Sequence, residues 1–144
     1  MGEKEKKLLL KVLCEILPYH TKWDINGELC EIIRIDIERQ HVYCRKESDK
    51  GGTYSIARGD VIKPYLRPMG SMTEEEKYQF RDFVDWDYDC NWKANTLEEL
   101  LNGNRIISRY VFELFDWLNA CHFDYRGLIE KGLAIEAPEG MYKF

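Results

Sequence analysis

Long hydrophobic runs are missing from this chain of 144 residues, in which the longest uninterrupted aliphatic stretch is no longer than Leu8–Leu10. A helix that crosses a bilayer needs about 20 apolar residues, so no membrane span is predicted. The apolar residues after Lys7 are interrupted by Lys11 and Glu15, and no cleavage site of small residues follows them. This pattern excludes a secretory signal peptide, and we expect a soluble, cytoplasmic protein without a membrane partner.

The cysteines do not follow the spacing of any common disulfide or metal-binding motif. The chain has five cysteines, an odd number, and no two are separated by two residues, so neither a disulfide framework nor a zinc ribbon is predicted. The nearest Cys–His pair suited to a metal is His41 and Cys44, but residues three apart on a strand point to opposite faces. Gly51 and Gly52 are not followed by the Lys-Ser or Lys-Thr of a phosphate-binding loop. We therefore expect no metal and no cofactor.

What the chain does contain is enough to build a folded core. It is 44% hydrophobic, 33% charged and 13% aromatic, which argues against disorder. Its charge is unevenly spread: residues 1–17 and residues 18–68 each carry a net +1, whereas residues 69–144 carry −7. Any contact with nucleic acid is therefore expected in the first half of the chain.

The first half alternates in a way typical of a helix followed by short strands. Apolar residues at helical spacing predict a helix over residues 3–17, which Pro18 ends. Asn26-Gly27 is a strong tight-turn signal, and Ile33, Ile35 and Ile37 alternate with charged residues as in a half-buried strand. Further strands are predicted at residues 41–45, 53–57 and 61–66, with a polar turn at residues 47–52. Their number and length favour a small, curved antiparallel sheet of the SH3-like barrel type.

The second half has the signals of helices. Thr73 and Glu76 form a capping-box pattern, and Thr96 with Glu99 forms another. Residues 105–121 have the strongest helical periodicity, with Trp117 on the apolar surface, and Asp124 is a candidate cap for a last short helix. The predicted fold is therefore α+β, with an N-terminal helix and barrel-like sheet in residues 1–68 and an acidic helical subdomain in residues 69–144. We expect the two to form one compact unit.

Two stretches of the chain have a specific wording. The first reads KPYLRPM at residues 63–69 and SMTEEE at residues 71–76. The second runs from DWLN at residues 116–119 through HFDYRGLI at residues 122–129 to EAPEGMYK at residues 136–143. Together they cover roughly a third of the chain, and they resemble a family of small proteins encoded in prophage-like and other mobile regions of gut anaerobes. The resemblance implies a bacterial or phage cytosolic protein, and it carries over no reaction and no catalytic residue.

Catalytic and metal sites have little support in the sequence. Residues 87–98 place oxygen-bearing side chains at the positions of a calcium-binding EF-hand loop, but Trp92 stands where that loop requires glycine. Cys121 and His122 are adjacent at a predicted helix end, where neighbouring side chains rarely face each other, so they make a poor nucleophile–base pair. A non-enzymatic protein is the favoured reading, with calcium binding a remote alternative.

Aromatic side chains supply the better candidates, because tyrosine and tryptophan anchor many protein interfaces. The predicted partner-binding residues are Trp86, Tyr88, Trp92, Tyr43 and Tyr54. The sheet also carries basic residues, namely Arg34, Arg39, Arg45, Lys46, Lys50 and Arg58. Basic side chains beside Tyr43 and Tyr54 would also suit single-stranded nucleic acid, with Arg34 and Arg45 as the alternative contacts. The sequence thus predicts an accessory protein that binds a protein partner, with weak nucleic-acid binding as the alternative.

Overall fold

A computed structural model describes residues 2–46, 49–85, 96, 105–106 and 110–142. Its helices and strands follow one another in this order: α1 (Glu3–Ile16), a 3-10 turn (Leu17–Tyr19), β1 (Lys22–Ile25), β2 (Glu28–Asp36), β3 (His41–Lys46), β4 (Asp49–Ser55), β5 (Ile62–Leu66), a second 3-10 turn (Met69–Ser71), α2 (Glu74–Arg81), β6 (Val84–Asp85), β7 (Arg105–Ile106), α3 (Val111–Ala120) and β8 (Ile135–Glu136). The predicted α+β class is confirmed. In the described residues, no helix is both long and apolar enough to cross a membrane.

The chain divides into two compact units. Unit 1 comprises Met1–Tyr65 and Gly132–Phe144, and unit 2 comprises Leu66–Lys131. The division after Tyr65 lies close to the boundary expected after residue 68. The sequence does not predict that residues 132–144 belong to unit 1. Their contacts with the first half include a strand of two residues and single hydrogen bonds, which are too short to produce a recognisable sequence pattern.

The sheet of unit 1 has six strands in the order β4-β3-β2-β1-β5-β8. The four pairings among β1 to β5 are antiparallel. Asn26 and Gly27 both have positive φ, of 53° and 88°, as the tight turn between β1 and β2 requires. The sheet is open among the described residues, so the predicted closure into an SH3-like barrel is not confirmed.

A β-bulge in β2 changes the burial that its alternation predicts. Ile32 pairs with Cys44 and Arg34 pairs with Tyr43, so Ile33 is an inserted residue without a partner in the register. An insertion of this kind shifts the side-chain alternation by one place. Ile33, which is in phase with Leu29 and Glu31, is 53% exposed, whereas Cys30 and Ile32 are buried. Ile37 lies beyond the last residue of β2, in the turn that leads to β3, and is 64% exposed. The expectation that Ile33 and Ile37 share a buried face is wrong.

Strand β4 is also longer than the sequence indicates. It begins at Asp49, within the stretch expected to be a polar turn, and it ends at Ser55 before the predicted end. Gly51 allows this extension, because its φ is +91° and an added Cβ would lie 2.1 Å from the carbonyl oxygen of Cys44. The pairing between β3 and β4 shifts register between Cys44 and Lys46 at the same place.

Unit 2 has its own apolar core. Its members are Met69, Met72, Phe80, Val84, Leu114, Leu118, Phe123 and Tyr125. Trp117 packs against this core at 5.7 Å from Phe83 and 5.7 Å from Phe123, measured between ring centroids. Its indole Nε1 donates to Oε1 of Gln79 at 2.9 Å. Trp117 is therefore a packing residue, as its place on the apolar helix surface suggests.

The first helix of unit 2 begins as predicted. Thr73 and Glu76 form the complete capping box, with Thr73 Oγ1 accepting from the Glu76 amide and a Glu76 carboxylate oxygen accepting from the Thr73 amide. Glu76 also receives two hydrogen bonds from Arg67, of 2.8 and 2.7 Å. The guanidinium of Arg67 lies 4.3 Å from the ring centroid of Phe123. One carboxylate thus caps α2 and holds a largely buried arginine.

Two helix predictions in unit 2 are wrong in extent. Among the described residues, the helix expected over residues 105–121 covers Val111–Ala120, while Arg105 and Ile106 instead pair with Asp85 and Val84 in a two-stranded ribbon. The short helix expected after Asp124 is a series of turns. Asp124 still caps backbone amides there, because its carboxylate accepts from Leu128 and Ile129 at 2.8 and 2.9 Å. The helix expected after Thr96 lies outside the described residues.

Candidate surface for partner binding

Strand register in unit 1 defines an outer face, the side of the sheet opposite buried Cys30, Ile32, Val42 and Cys44. Directly paired residues share a face, and residues two apart on a strand share it as well. Arg34 pairs with Tyr43, Glu31 with Arg45, and Asp36 with His41. Leu29 lies two residues before Glu31 on β2. Across β2 and β3 the outer face therefore consists of Leu29, Glu31, Arg34, Asp36, His41, Tyr43 and Arg45, with the bulge residue Ile33. Ile37, in the turn after β2, lines one depression with Arg34 and Tyr43 and is counted with this face for that reason.

The centre of the outer face is a stacked pair. The guanidinium carbon of Arg34 lies 4.1 Å from the ring centroid of Tyr43. This distance is typical of a cation–π contact, in which the ring quadrupole attracts the cation. Arg34, Ile35, Asp36, Ile37 and Tyr43 line an open depression of about 500 Å³ around the pair. The outer face thus has a shallow depression lined by charged, aromatic and aliphatic residues.

Exposed aliphatic side chains flank the stacked pair. Leu29 is 44% exposed, and Ile33 and Ile37 are more exposed still. Single exposed aliphatic residues are common on folded proteins, but two on β2 and one in the turn after it, with a cationic–aromatic pair, are a candidate interaction surface. Periodicity alone did not identify them, because alternation assigns two of them to the core. The sequence has no local signal for their exposure, because the bulge in β2 is defined by its pairing with β3.

The charges of the outer face are unevenly satisfied. Glu31 meets Nδ1 of His20 at 3.0 Å, and Asp36 accepts from the Arg39 amide at 3.0 Å with its guanidinium 3.9 Å away. Arg34 and Arg45 are exposed and have no carboxylate partner in the part of the chain that the structure describes. The acids of this face are therefore engaged by neighbours, while its two arginines point their charge to solvent.

The predicted aromatic residues do not form one surface. Tyr54 pairs with Val42 in the register, so it lies on the face opposite Tyr43. An added Cβ at Gly52 would be 3.3 Å from the Tyr54 ring, which places this ring over the neighbouring glycine of its own strand. Trp86, Tyr88 and Trp92 lie outside the described residues. So does the calcium-loop candidate at residues 87–98, apart from Thr96.

Cys121 lacks the properties of a catalytic nucleophile. Burial, and to a lesser degree the negative charge of Glu76, raises the pKa of its thiol to about 11. A thiolate is the nucleophilic form, so this environment disfavours the reactive species. His41 and Cys44 lie on opposite faces of β3, as expected, and the described residues contain no His, Cys, Asp and Glu cluster able to hold a metal.

Comparison with known proteins finds no matching protein family, no similar curated protein and no similar solved structure. The assignment of function therefore rests on the geometry and chemistry of the outer face.

Proposed function

We propose that this chain is a non-enzymatic interaction protein that binds a protein partner through the outer face of its N-terminal sheet. The observation that carries the proposal is that exposed Ile33 directly precedes Arg34 on β2, while exposed Ile37 lines one depression with the stacked Arg34–Tyr43 pair. Arginine and tyrosine are enriched among residues that dominate protein interfaces. Fully burying an isoleucine side chain contributes about 1.5–3 kcal/mol, so the two isoleucines supply the apolar part of the contact.

The proposal uses the exposed side of an open sheet, and it does not depend on the closure of an SH3-like barrel. It replaces part of the predicted set of binding residues, because Tyr43 belongs to the outer face and Tyr54 does not. We also propose a cytoplasmic setting in a prophage or other mobile element. Support for that setting comes from the two stretches at residues 63–76 and 116–143.

Nucleic-acid binding is the second candidate, because Arg34, Tyr43 and Arg45 share the outer face and both arginines are exposed. It is the weaker one. Arg34 already covers one side of the Tyr43 ring, and Glu31 and Asp36 place negative charge where a phosphate backbone would lie. A mobility-shift assay with single- and double-stranded probes at low salt tests it, and binding that falls steeply with added salt would support it.

Co-purification from the organism that encodes the chain tests protein binding. The test variant combines Ile33→Ser with Ile37→Ser, and both side chains are exposed, so folding stability should change by less than about 0.5 kcal/mol each. Phe112→Ser is the matched control, because Phe112 is 85% exposed on α3 in unit 2. We expect one stoichiometric protein with the wild type and the control, and its loss with the double variant. Equal recovery with all three chains would contradict the proposal.

A further inference from the structure

We infer that the outer face recognises an acidic segment of its partner, in extended conformation, through a carboxylate that pairs with Arg34. This inference rests on the proposed function and adds the chemical class of the ligand. The Arg34 guanidinium carbon lies over the Tyr43 ring, and a cation–π contact of this kind does not use the N–H donors of the guanidinium. A guanidinium edge matches the two oxygens of a carboxylate, which it can bind through two parallel hydrogen bonds.

A second arginine on the same face sets the spacing of the acids. Arg45 lies two residues beyond Tyr43 on β3, which corresponds to about 7 Å along a strand. Alternate side chains of an extended segment have the same separation and point the same way. A segment with acids at positions i and i+2 therefore presents one carboxylate to Arg34 and the next to Arg45.

Charge complementarity favours an acidic ligand over a basic one. By register this face also includes Lys22, Asp24 and Lys63. The basic residues Lys22, Arg34, Arg45 and Lys63 therefore outnumber the acids Asp24, Glu31 and Asp36, and the net charge of the face is positive. The flanking isoleucines favour a polypeptide over a nucleic acid, because they match aliphatic side chains on either side of the acids and offer nothing to a phosphate backbone.

The test uses three synthetic peptides of seven residues and titrates each into the ¹⁵N-labelled full chain, observed by two-dimensional NMR. The acidic peptide is ITETETI, and the controls replace both glutamates by glutamine or by lysine. We expect saturable shifts of the Arg34 and Tyr43 signals with the acidic peptide. Binding of the glutamine peptide should be weaker by about tenfold, since charge-assisted hydrogen bonds are about twice as strong as neutral ones.

A pair of chain variants assigns the effect to one arginine. Arg34→Gln should lower the affinity for the acidic peptide toward that for the glutamine peptide without reaching it, because the second glutamate still pairs with Arg45. Arg58→Gln removes an exposed arginine from the loop before β5 and should change nothing. An amide spectrum of each variant that matches the wild type outside the substituted site confirms that the fold is intact.

The remaining outcomes separate the two proposals. Equal affinity for the acidic and glutamine peptides would keep the outer face as a binding surface and overturn the carboxylate assignment. Tighter binding of a ten-nucleotide thymidine strand than of the acidic peptide would overturn the assignment in favour of nucleic acid. Shifts with none of the peptides at millimolar concentration, while the double isoleucine variant still loses its co-purified protein, would overturn the acidic-segment inference alone.

Discussion

The hydroxyl of Tyr142 donates a hydrogen bond of 2.7 Å to the carbonyl oxygen of Tyr65. The same hydroxyl accepts a hydrogen bond of 2.9 Å from the Lys22 amide. The register that pairs Trp23 with Pro64 continues to Lys22 and Tyr65, so the phenol bridges two backbone groups where the ladder between β1 and β5 ends. A residue near the end of the chain thereby ties residues 132–144 to the sheet of unit 1.

Removing this bridge should destabilise unit 1. Tyr142→Phe leaves an amide and a carbonyl without their partner, which costs about 1–3 kcal/mol for buried groups. Tyr78→Phe is the control, because Tyr78 is 66% exposed, and it should change the unfolding free energy by less than about 0.5 kcal/mol. Urea unfolding of both variants measures the difference. Equal stability of Tyr142→Phe and wild type would show that the bridge contributes nothing.

Acid should weaken unit 2 through Glu76. Burial alone raises the pKa of Glu76, but hydrogen bonds from Arg67 and Thr73 and the charge of Arg67 together bring this pKa below its ordinary value of 4.5. The folded state therefore holds the carboxylate more strongly than the unfolded state does. Its stabilising contribution is present above the ordinary pKa and is lost as the pH falls through the lowered pKa.

Glu76→Gln should remove that part of the pH dependence and lower the unfolding free energy at neutral pH by about 3 kcal/mol, because it leaves Arg67 largely buried without its counter-charge. Glu74→Gln is the matched control. Glu74 is exposed and pairs with Lys77 on the helix surface, so its loss should cost about 0.5 kcal/mol or less. Unfolding curves between pH 3 and pH 7, an interval of about 4 units around the carboxylate pKa, measure both effects. Parallel pH profiles for wild type and Glu76→Gln would contradict the account.

The cysteines should differ in their reaction with iodoacetamide. Cys14 is exposed, Cys30 and Cys44 are buried, and burial raises the pKa of Cys121 to about 11. At about pH 8 we expect Cys14 to be alkylated at least tenfold faster than Cys121, because the thiolate is the reacting form. Peptide mass spectrometry after timed quenching gives the order. Cys121 reacting as fast as Cys14 would show that its surroundings open to solvent.

Two glycines with the same backbone angle should tolerate alanine differently. Gly51 and Gly59 both have φ of +91°, which costs alanine about 1–2 kcal/mol. At Gly59 an added Cβ meets nothing within 4 Å, whereas at Gly51 it meets the Cys44 carbonyl oxygen. Gly51→Ala should therefore be the more destabilising in thermal unfolding. A smaller loss for Gly51→Ala than for Gly59→Ala would contradict the pairing of β4 at this position.

Local signals in the sequence were reliable where one or two residues determine the structure. The turn at Asn26-Gly27 and the capping box of Thr73 and Glu76 both need only residues close in sequence, and both are confirmed. The bulge at Ile33 depends on how β2 pairs with β3, so the alternation of isoleucines could not reveal it. The sequence groups Arg34, Tyr43 and Arg45 as candidate contacts on the sheet, but its alternation assigns the exposed Ile33 and Ile37 to the buried face.

Longer-range relationships also explain the errors at helix ends. The periodicity of residues 105–121 is helical throughout, but Arg105 and Ile106 pair with β6, which lies about 20 residues earlier. Residues 132–144 join unit 1 through the place of β8 beside β5 and the hydrogen bonds of Tyr142 with Tyr65 and Lys22. Pairing partners so distant in sequence leave no local pattern.

Site-specific photocrosslinking in living cells tests the central claim most directly. A photoreactive amino acid in place of Ile37 reports on the outer face without removing the arginines, and the same group in place of Phe112 reports on an exposed position in unit 2. We predict one crosslinked protein of defined mass from position 37 and none of that mass from position 112. A crosslink to that protein from position 112 alone would contradict the assignment of the outer face as the binding surface.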